Sequence, residues 1–529
     1  MLCKVFCACC SGINAVLVTV EVDVSPGISF FLVGLPDIAV KESQQRIGAA
    51  LAHYGYRIPG RKIIINMAPA DMRKEGSAFD VAIAVGILSA SGQIQQYEIA
   101  QERLSEYIIM GELALDGSLR KFPGALSVAS EAAALGFKGC IFPPDSASEC
   151  AEIDDIAIYS AANIKDVLEI LASPDKAKDK LVANSGSCVK GDNNRDGNEW
   201  LNRQYEYDFA CVKGQQIAKR GMEIAAAGGH NIMLVGSPGC GKTLMAKCLP
   251  SILPPLSRKE AIETSKIYSV AGLLHEQYGF MKERPFRGPH HTTTVSSFTG
   301  GGKNGLPGEI SLAHNGVLFL DEFAEFPRQI IEVLRQPMED GKIQISRVKG
   351  KYLYPADFML VASMNPCPCG FYGSQDTPCR CSSYAVSKYL SHISGPILDR
   401  IDIQIFMKPV SAHEIAGCSQ SAGECISSRE MAERVAFARK IQQERYKNEA
   451  FCTNARIPAS KLDFYCKTGR KEKLFIQDII KRLGLSARTY SRILKISRTI
   501  ADLDGKDFIS LAHISLAIQF RNLDRTLLP

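Results

Sequence analysis

The sequence predicts a multi-domain α/β protein that ends in a helical segment. Three observations support this prediction. The chain has 529 residues, enough for roughly three or four domains of ordinary size. Strand-like apolar runs alternate with helix-period segments over residues 1–172 and 204–408, and only helical patterns follow residue 409. Hydrophobic residues make up 46% and charged residues 22% of the chain, a composition typical of globular proteins that excludes a wholly disordered chain.

Charge and cysteine content limit the classes of partner and compartment. The net charge of +6 is a mild basic excess, compatible with nucleic acid but too weak to indicate it. The chain has 18 cysteines, which we expect to be reduced in a cytoplasmic protein because no clear secretory signal is present. The apolar start, MLCKVFCACC, has some features of an export signal, but it runs into the strand pattern VTVEVDVS without a clear cleavage site. No stretch reaches the roughly 18 apolar residues of a membrane span, so no membrane partner is expected.

Residues 1–172 are expected to form an α+β domain. Its strand patterns are AVLVTVEVDV, RKIIINMAP and KGCIFP, and its helix patterns are VKESQQRIGAALAHYGY, AFDVAIAVGILSASG and ALSVASEAAALGF. The segment YIIMGELALDGSLRKF predicts a hairpin that turns at Asp116 and Gly117. Residues 173–203 are polar and without hydrophobic periodicity, so they are predicted to form a linker.

The strongest motif in the chain is GSPGCGKT, which matches the G-x-x-x-x-G-K-[ST] pattern of phosphate-binding loops. A buried-strand pattern, NIMLVG, precedes it, and LMAKCLPSIL opens a helix after it. Glycines let backbone N–H groups curl around phosphate oxygens, and a helix N-terminus adds partial positive charge. Lys242 is expected to reach the β- and γ-phosphates, and the Thr243 hydroxyl to ligate Mg²⁺. The residues expected to bind the nucleotide are Gly236, Ser237, Pro238, Gly239, Cys240, Gly241, Lys242 and Thr243.

A second buried-strand pattern ends in two carboxylates. Val317–Leu320 are apolar, and Asp321 and Glu322 come directly after them. Because ligands bind beyond the carboxyl ends of buried parallel strands, Asp321 is expected near the metal and Glu322 near the attacking water. Asn365, which ends the strand pattern LVASM, is expected to position the same water. On its own, an apolar run followed by two carboxylates would equally fit a strand with a charged cap. The phosphate-binding loop in the same chain favours the metal and water roles instead.

Six motifs in this order resemble the ComM/YifB family of magnesium-chelatase-like AAA+ ATPases over essentially the whole chain: VKGQ, GSPGCGKT, FRGPHHT, PGEISLAHNGVLFLDE, SMNPCPCG and SGPILDRID. The resemblance implies an AAA+ P-loop domain over residues 204–408, which uses ATP and Mg²⁺. Within it, the resemblance assigns Lys242 to Walker A, Asp321 and Glu322 to Walker B, and Asn365 to sensor 1.

The same resemblance implies roles for two arginines. It makes Arg400 the arginine finger, and Arg488 the sensor 2 arginine of a C-terminal helical lid over residues 409–529. In AAA+ rings the arginine finger acts on the nucleotide of the neighbouring subunit. The resemblance therefore implies a homo-oligomer, in the first place a hexamer.

Residues 340–358, DGKIQISRVKGKYLYPADF, predict a β-hairpin and resemble the pre-sensor 1 hairpin of the AAA+ helicase branch. In a ring such a hairpin faces the channel, where its cations could contact DNA phosphates. An ordinary solvated basic face explains the same pattern equally well. The cations in question are Lys342, Arg347, Lys349 and Lys351.

Two further segments contain residues that could ligate a metal. PHHTTTVSSFTGGGKNG resembles the family's other pore-facing insert, so His290 and His291 are expected to face substrate or to be structural rather than to bind metal. CPCGFYGSQDTPCRC contains two C-x-C pairs, and four thiolates suit structural, tetrahedral Zn²⁺. Reduced thiols on a loop, or a redox-sensitive pair, remain the alternatives. The four cysteines are Cys367, Cys369, Cys379 and Cys381.

The N-terminal domain resembles the proteolytic domain of Lon proteases, on the segments KEGSAFDVAIAVGIL and YIIMGELALDGSLRKFPGALSVASEAAALGFKGCIFP. Ser77 matches the nucleophilic serine of that family. The general-base lysine should lie in PGALSVA, where this chain has Ser127. Because a serine cannot deprotonate another serine, the domain is expected to dock substrate or partners without proteolysis.

Three functions follow from these patterns. The first is an ATP-driven ring motor on DNA, which by family resemblance would be a helicase-like branch-migration factor in homologous recombination during natural transformation. The second is a chelatase-like motor that remodels a protein partner, weakened by an N-terminal domain and a cysteine cluster that the chelatase motor subunit is expected to lack. The third is an ATP-dependent protease, weakened by Ser127.

Overall fold

The computed structural model describes residues 2–94, 99, 101–173, 178–182, 199–203, 205–274, 279–302, 305–347, 350–374, 377–409, 426–483 and 486–521. Within these ranges, no helix has both the length and the apolar character needed to cross a membrane. Along the described residues, a first set of strands and helices runs to Ala172, a second set runs from Gln216 to Met407, and helices follow from Ser428.

The N-terminal domain is built on a seven-stranded mixed sheet with the order β3-β4-β2-β1-β5-β8-β9. Its strands are β1 (Leu2–Ser11), β2 (Asn14–Ser25), β3 (Ser29–Val33), β4 (Lys62–Ala68), β5 (Tyr107–Ile109), β6 (Glu112–Leu113), β7 (Leu119–Arg120), β8 (Gly139–Phe142) and β9 (Ala157–Ser160). Its helices are α1 (Ile38–Lys41), α2 (Ser43–His53), α3 (Asp80–Ala90), α4 (Gln101–Leu104), α5 (Ala125–Ala134), α6 (Pro144–Glu149) and α7 (Ile164–Ala172).

Strand β1 is not predicted by the sequence patterns. It pairs antiparallel with β2 over its whole length, and Cys3, Val5 and Cys7 alternate into the core. Buried cysteine behaves as a small hydrophobic residue, so these thiols serve packing. The predicted hairpin at Asp116 and Gly117 is confirmed, because β6 and β7 pair antiparallel around it.

The predicted linker over residues 173–203 differs from the structure at both ends. Residues 178–182 extend the N-terminal domain, since Ser160 N donates to Lys180 O at 2.8 Å and Val182 N donates to Ile158 O at 2.9 Å. Trp200, at the other end, is buried in the core of the second domain. The part of the linker over residues 183–198 lies outside the described residues.

The central domain is built on five strands with the order β11-β14-β17-β10-β18, and all their pairings are parallel. Its strands are β10 (Ile232–Gly236), β11 (Phe286–Arg287), β12 (Gly300–Gly301), β13 (Leu306–Pro307), β14 (Val317–Leu320), β15 (Lys342–Arg347), β16 (Gly350–Pro355), β17 (Met359–Met364) and β18 (Ile403–Met407). Its helices are α8 (Gln216–Gly228), α9 (Lys242–Cys248), α10 (Arg258–Val270), α11 (Val295–Thr299), α12 (Glu309–Leu312), α13 (Arg328–Val333), α14 (Arg335–Asp340), α15 (Ser383–Leu390) and α16 (Gly395–Leu398). Strands β10, β14 and β17 are buried along their whole length, as expected of a parallel sheet covered on both faces.

The C-terminal helices share a hydrophobic core with this sheet. They pack against α8 and the start of β18, where Gln404 N donates to Phe520 O at 2.7 Å and Arg521 Nη1 donates to Ile401 O at 3.1 Å. These contacts place them toward the amino ends of the strands, which differs from a lid over the phosphate-binding loop at the carboxyl end of β10. The helices are α17 (Ser428–Arg445), α18 (Leu462–Tyr465), α19 (Arg470–Leu483), α20 (Ala487–Leu503) and α21 (Leu511–Gln519).

The N-terminal domain docks along α10 of the central domain. Gly124 N donates to Ser269 O at 3.1 Å, and Ser269 Oγ donates to Glu149 Oε2 at 2.8 Å in a buried contact. An ion pair between Arg258 and Asp154 at 2.6 Å extends the interface. The two domains are therefore joined by specific polar contacts as well as by the chain.

Candidate nucleotide site

The register of the central sheet brings three sequence-distant segments to one edge. Val235 in β10 lies opposite Met364 in β17, and Leu320 in β14 lies opposite Ala362 in β17. The residues that follow these strands are therefore neighbours: the phosphate-binding loop from Gly236, the Asp321–Glu322 pair, and Asn365. The sequence predicts this convergence because parallel strands share the direction of their carboxyl ends.

Lys242 lies at the centre of this edge. Its Nζ donates to Gly236 O at 2.7 Å, Ser237 O at 3.0 Å and Asn365 Oδ1 at 3.1 Å. Burial lowers the pKa of Lys242, against the opposing influence of nearby anionic groups. A half-buried ammonium that donates to neutral oxygens favours an anionic ligand, which a phosphate group would supply.

Two glycines give the phosphate-binding loop its shape. Gly239 and Gly241 have φ values of +80° and +90°, in the left-handed region that residues with side chains rarely adopt. This observation explains why the loop requires glycine at those positions.

Asp321 and Thr243 form the expected magnesium position. Thr243 Oγ1 donates to Asp321 Oδ2 at 2.8 Å, and Ser363 Oγ donates to the other carboxylate oxygen. A hydroxyl and a carboxylate oxygen side by side are the oxygen donors that Mg²⁺ prefers, so the residues present fit this ion. Ser363, at the end of β17, orients Asp321 and was not predicted. The sequence feature that could have indicated Ser363 is its position one residue before the end of the buried strand β17.

Glu322 contacts a residue for which the sequence predicted a different role. Glu322 has a φ of +54°, a strained value for a residue with a side chain, and its Oε2 lies 3.2 Å from His291 Nδ1. Of the two roles expected for His291, facing substrate or structural, this contact with Glu322 fits the structural one. His290 and His291 follow β11, whose carboxyl end is at the same sheet edge, and this position was the missed signal. Both histidines line a cavity of about 560 Å³ together with Asp321 and Glu322.

Arg400 lies at the opposite end of the sheet from Lys242. Asn231, the residue before β10, donates from Nδ2 to Arg400 O at 3.2 Å. The Arg400 side chain is 6% exposed, and its guanidinium donates to Pro396 O at 2.6 Å and to Glu339. The hydrogen bond from Arg400 lowers the pKa of the Glu339 carboxyl.

Arg488 lies on the same side as Arg400. Its Nη2 is 3.3 Å from the same Glu339 oxygen, and its side chain is 57% exposed. A cavity of about 320 Å³ beside the two arginines is also lined by Arg456, Arg492 and Lys495. The structure thus groups the two arginines with each other and separates them from the phosphate-binding loop of the same chain.

The predicted hairpin is present as β15 paired antiparallel with β16. Lys342 and Lys351 are exposed on it. Arg347 is the last residue of β15, and Lys349 lies outside the described residues. Tyr354 is buried at the base, where its hydroxyl donates to Gly305 O at 2.8 Å, which ties the hairpin to the Gly-rich segment.

The four predicted cysteines lie together. Their Sγ atoms are all within 4.8 Å of one another, with separations from Cys367 to Cys369 of 3.3 Å, from Cys367 to Cys379 of 3.7 Å, and from Cys369 to Cys379 of 3.5 Å. Tetrahedral Zn–S bonds of about 2.3 Å require S–S separations of about 3.8 Å, so the cluster, with Cys381, fits one such ion. A backbone N–H from Phe371 lowers the pKa of Cys369 to about 6, which favours the thiolate that binds metals.

The serines of the N-terminal domain have the following partners. Ser77 Oγ donates to a Glu112 carboxylate oxygen. Ser127 is 2% exposed in α5, and its hydroxyl is without a hydrogen-bond partner within the described part of the chain. Ser127 stands where the Lon family is expected to have its general-base lysine, and a buried serine hydroxyl cannot take over that role.

The contacts of Lys242 and Glu322 predict different kinetic effects on ATP hydrolysis. Lys242→Ala should abolish nucleotide binding, because it removes the cation at the phosphate position. Glu322→Gln should bind ATP but hydrolyse it at least about 10²-fold more slowly, since a residue that acts on the attacking water affects the transition state. Titration of a fluorescent ATP analogue and single-turnover hydrolysis measure the two effects.

Thr243→Ser, which keeps the hydroxyl, is the control and should bind ATP. Equal ATP affinities in Lys242→Ala and Glu322→Gln would contradict the division of roles.

Three family models match the chain. Residues 208–415 match "Magnesium chelatase, subunit ChlI", residues 426–521 match "Magnesium chelatase, subunit ChlI C-terminal", and residues 20–146 match "Subunit ChlI of Mg-chelatase". The third of these matches falls within the N-terminal domain.

Full-length relatives give the family. The chain is 40% identical over 523 residues to competence protein ComM of Haemophilus influenzae, covering 98% of this chain and 96% of that protein. It is 39% identical over 518 residues to protein YifB of Escherichia coli, with the same two coverages. The magnesium-chelatase 38 kDa subunit of Cereibacter sphaeroides is 25% identical over 176 residues, 30% of this chain and 53% of that protein. The chain therefore belongs to the ComM/YifB family of magnesium-chelatase-like AAA+ ATPases.

Proposed function

We propose that this chain is an ATP-hydrolysing ring motor that acts on DNA. We infer the ATPase activity from one observation, which is that four polar side chains lie together at one edge of the sheet. They are Lys242, Asn365, Thr243 and Asp321. Lys242 binds phosphate oxygens, and Thr243 with Asp321 holds Mg²⁺, which neutralises phosphate charge when bound. Glu322 and Asn365 orient the attacking water. Glu322 takes this role once its carboxylate has moved away from His291.

The position of Arg400 and Arg488 supports a ring of several copies. The five residues of β10 span about 16 Å at about 3.3 Å per residue, and the arginines lie at the end away from Lys242. Neither side chain reaches the nucleotide of its own chain from there. As arginine finger and sensor 2, they serve a neighbouring copy, and the assembly expected from the family is a hexamer.

Two observations favour DNA over a protein substrate. Hairpin β15–β16 is a separate two-stranded sheet that presents Lys342 and Lys351 to solvent. The relative named competence protein supports a competence-related function, in which DNA is the substrate expected from the family resemblance. By family resemblance, the reaction on DNA is branch migration during recombination. Cations on the hairpin would contact phosphates without reading sequence.

The four cysteines, Cys367, Cys369, Cys379 and Cys381, are proposed to hold one structural Zn²⁺. Support comes from the close approach of the four sulfur atoms and from their number, because four thiolates leave no open position for catalysis. By binding cysteines at both ends, the metal would join the two ends of the loop that follows Asn365.

The DNA role predicts a change in the salt dependence of binding. Replacing Arg347, Lys349 and Lys351 together with Ala should weaken DNA binding at all sequences and flatten the slope of log K against log salt by about 0.7–0.9 per lost phosphate contact. Basal ATPase activity should persist, because these residues belong to the predicted hairpin segment and not to the sequence motifs of the nucleotide site. Fluorescence anisotropy with a forked and a four-way-junction DNA measures the slope.

A charge-matched control exists on α19. Arg470, Lys471 and Lys473 are exposed and carry the same number of charges, and their replacement with Ala should leave the slope unchanged. The same slope change in both triple variants would show that only net charge matters. Absence of DNA binding and of DNA-stimulated ATPase activity in the wild-type protein, at low salt with ATP, would remove the DNA proposal and favour the chelatase-like alternative.

The zinc proposal predicts a stoichiometry. Protein purified anaerobically should contain about one zinc per chain by mass spectrometry of the metal. Cys379→Ser should lose this zinc, whereas Cys452→Ser, at an exposed cysteine outside the cluster, should keep it. A wild-type protein without zinc and with full ATPase activity would refute the site.

A further inference from the structure

The loop that carries the four cysteines is in direct contact with the phosphate-binding loop. A Cβ atom added to Gly370 would lie 2.5 Å from Pro238 Cδ and 2.8 Å from Pro238 Cγ, closer than real Cβ contacts. The same atom would lie 3.8 Å from Asn365 Cγ. Gly370 is buried, so its backbone and the Pro238 ring form one packed contact inside the candidate nucleotide site.

The cysteine loop also begins inside that site. Asn365, which accepts a hydrogen bond from Lys242, is two residues before the fully buried Cys367. Gly370 N donates to Cys367 O at 2.9 Å, which closes the turn that sets Gly370 against Pro238. The position of Cys367 thus fixes Asn365 on one side and Gly370 on the other.

Further along the described part of the loop, Tyr372 N donates to Cys367 Sγ at 3.3 Å and Ser374 N donates to Phe371 O at 3.0 Å, so these contacts stay within the loop itself. Residues 370–378 separate the two C-x-C pairs, and Cys381 leads directly into α15 through the N-cap Ser382. Binding of one ion by all four thiolates would join both ends of this segment at the base of the turn. The ion would therefore hold Cys367 and Cys369 in the geometry that packs Gly370 onto Pro238.

We propose that the four-cysteine metal centre is a positioning element of the nucleotide site: the bound metal, acting through the contact of Gly370 with Pro238, sets the affinity of the phosphate-binding loop for ATP. This inference rests on the proposed zinc and ATP sites. Because coupling between two ligands is reciprocal, the factor by which zinc raises ATP affinity equals the factor by which ATP raises zinc affinity. Couplings of this kind commonly amount to about 5- to 150-fold.

Two glycines in the loop provide a matched pair of variants. Gly370 and Gly373 have φ values of +84° and +76°, so Ala at either position meets similar backbone strain. At Gly373 the nearest atom to an added Cβ is Phe406 Cζ at 4.0 Å, an ordinary contact. Gly370→Ala should raise the Kd for ATP at least about 5-fold with zinc retained, and Gly373→Ala should bind ATP and zinc as the wild-type protein does.

A second substitution tests the contact itself. Pro238→Ala removes the Cγ and Cδ atoms that the new side chain would meet. The double variant Gly370→Ala with Pro238→Ala should therefore bind ATP as tightly as Pro238→Ala alone. A Gly370→Ala chain that is weakened by general misfolding would show no such recovery, and that result would overturn the inference.

Reciprocity is tested by competition for zinc with a chromogenic chelator, with and without a non-hydrolysable ATP analogue. The analogue should raise the apparent zinc affinity of the wild-type protein by the same factor as zinc raises analogue affinity, and Gly370→Ala should reduce that factor. Equal zinc affinity with and without the analogue, in a protein that binds both, would overturn the coupling and leave the proposed function intact. A wild-type protein that binds no ATP would instead refute the proposed function, and one that binds no zinc would refute both the metal site and its coupling.

Discussion

The carboxyl ends of the buried parallel strands β10, β14 and β17 meet at one edge, and the nucleotide site depends on this geometry. Burial on both faces requires continuous apolar strands, and parallel pairing requires that the polar residues after them meet. Lys242 donates to Asn365, which lies 123 residues further along the chain, and Thr243 donates to Asp321, which lies 78 residues further along. The register of the sheet brings both pairs together. A substitution that displaced a strand would separate the phosphate-binding group from the metal and water groups.

The same sheet separates two groups of residues. Lys242 and its loop lie at the carboxyl ends of the strands, and Arg400 and Arg488 lie at the amino ends, joined through Glu339. The Arg400 side chain is buried and that of Arg488 is exposed. In the proposed ring, both arginines would have to exchange Glu339 for a phosphate of the neighbouring copy, and the buried Arg400 would have to move further to do so.

The sequence predicts those parts of the molecule in which a local pattern carries the chemistry. The phosphate-binding loop, the run before Asp321, the hairpin after Lys342 and the grouping of four cysteines all have a pattern of a few residues, and the structure contains each of them in the expected element. Strand β1 was missed because Cys3 and Cys7, two of the three residues that alternate into the core, are only weakly hydrophobic. The contacts of His291 with Glu322, and of Ser363 with Asp321, were missed because they join residues brought together by pairing of distant strands. The place of the C-terminal helices depends on which face of α8 they cover, which no single segment encodes.

In the proposed ring, each nucleotide site is completed by a second copy of the chain. Mixing Arg400→Ala chains with Lys242→Ala chains tests it most directly, because each variant lacks a different half-site. Each variant alone should be inactive, and an equal mixture should recover ATPase activity up to about one quarter of the wild-type value, the share of interfaces in which both intact halves meet at random. Absence of recovery at every mixing ratio, in assemblies shown to exchange subunits, would contradict the claim and indicate a site that is complete within one chain.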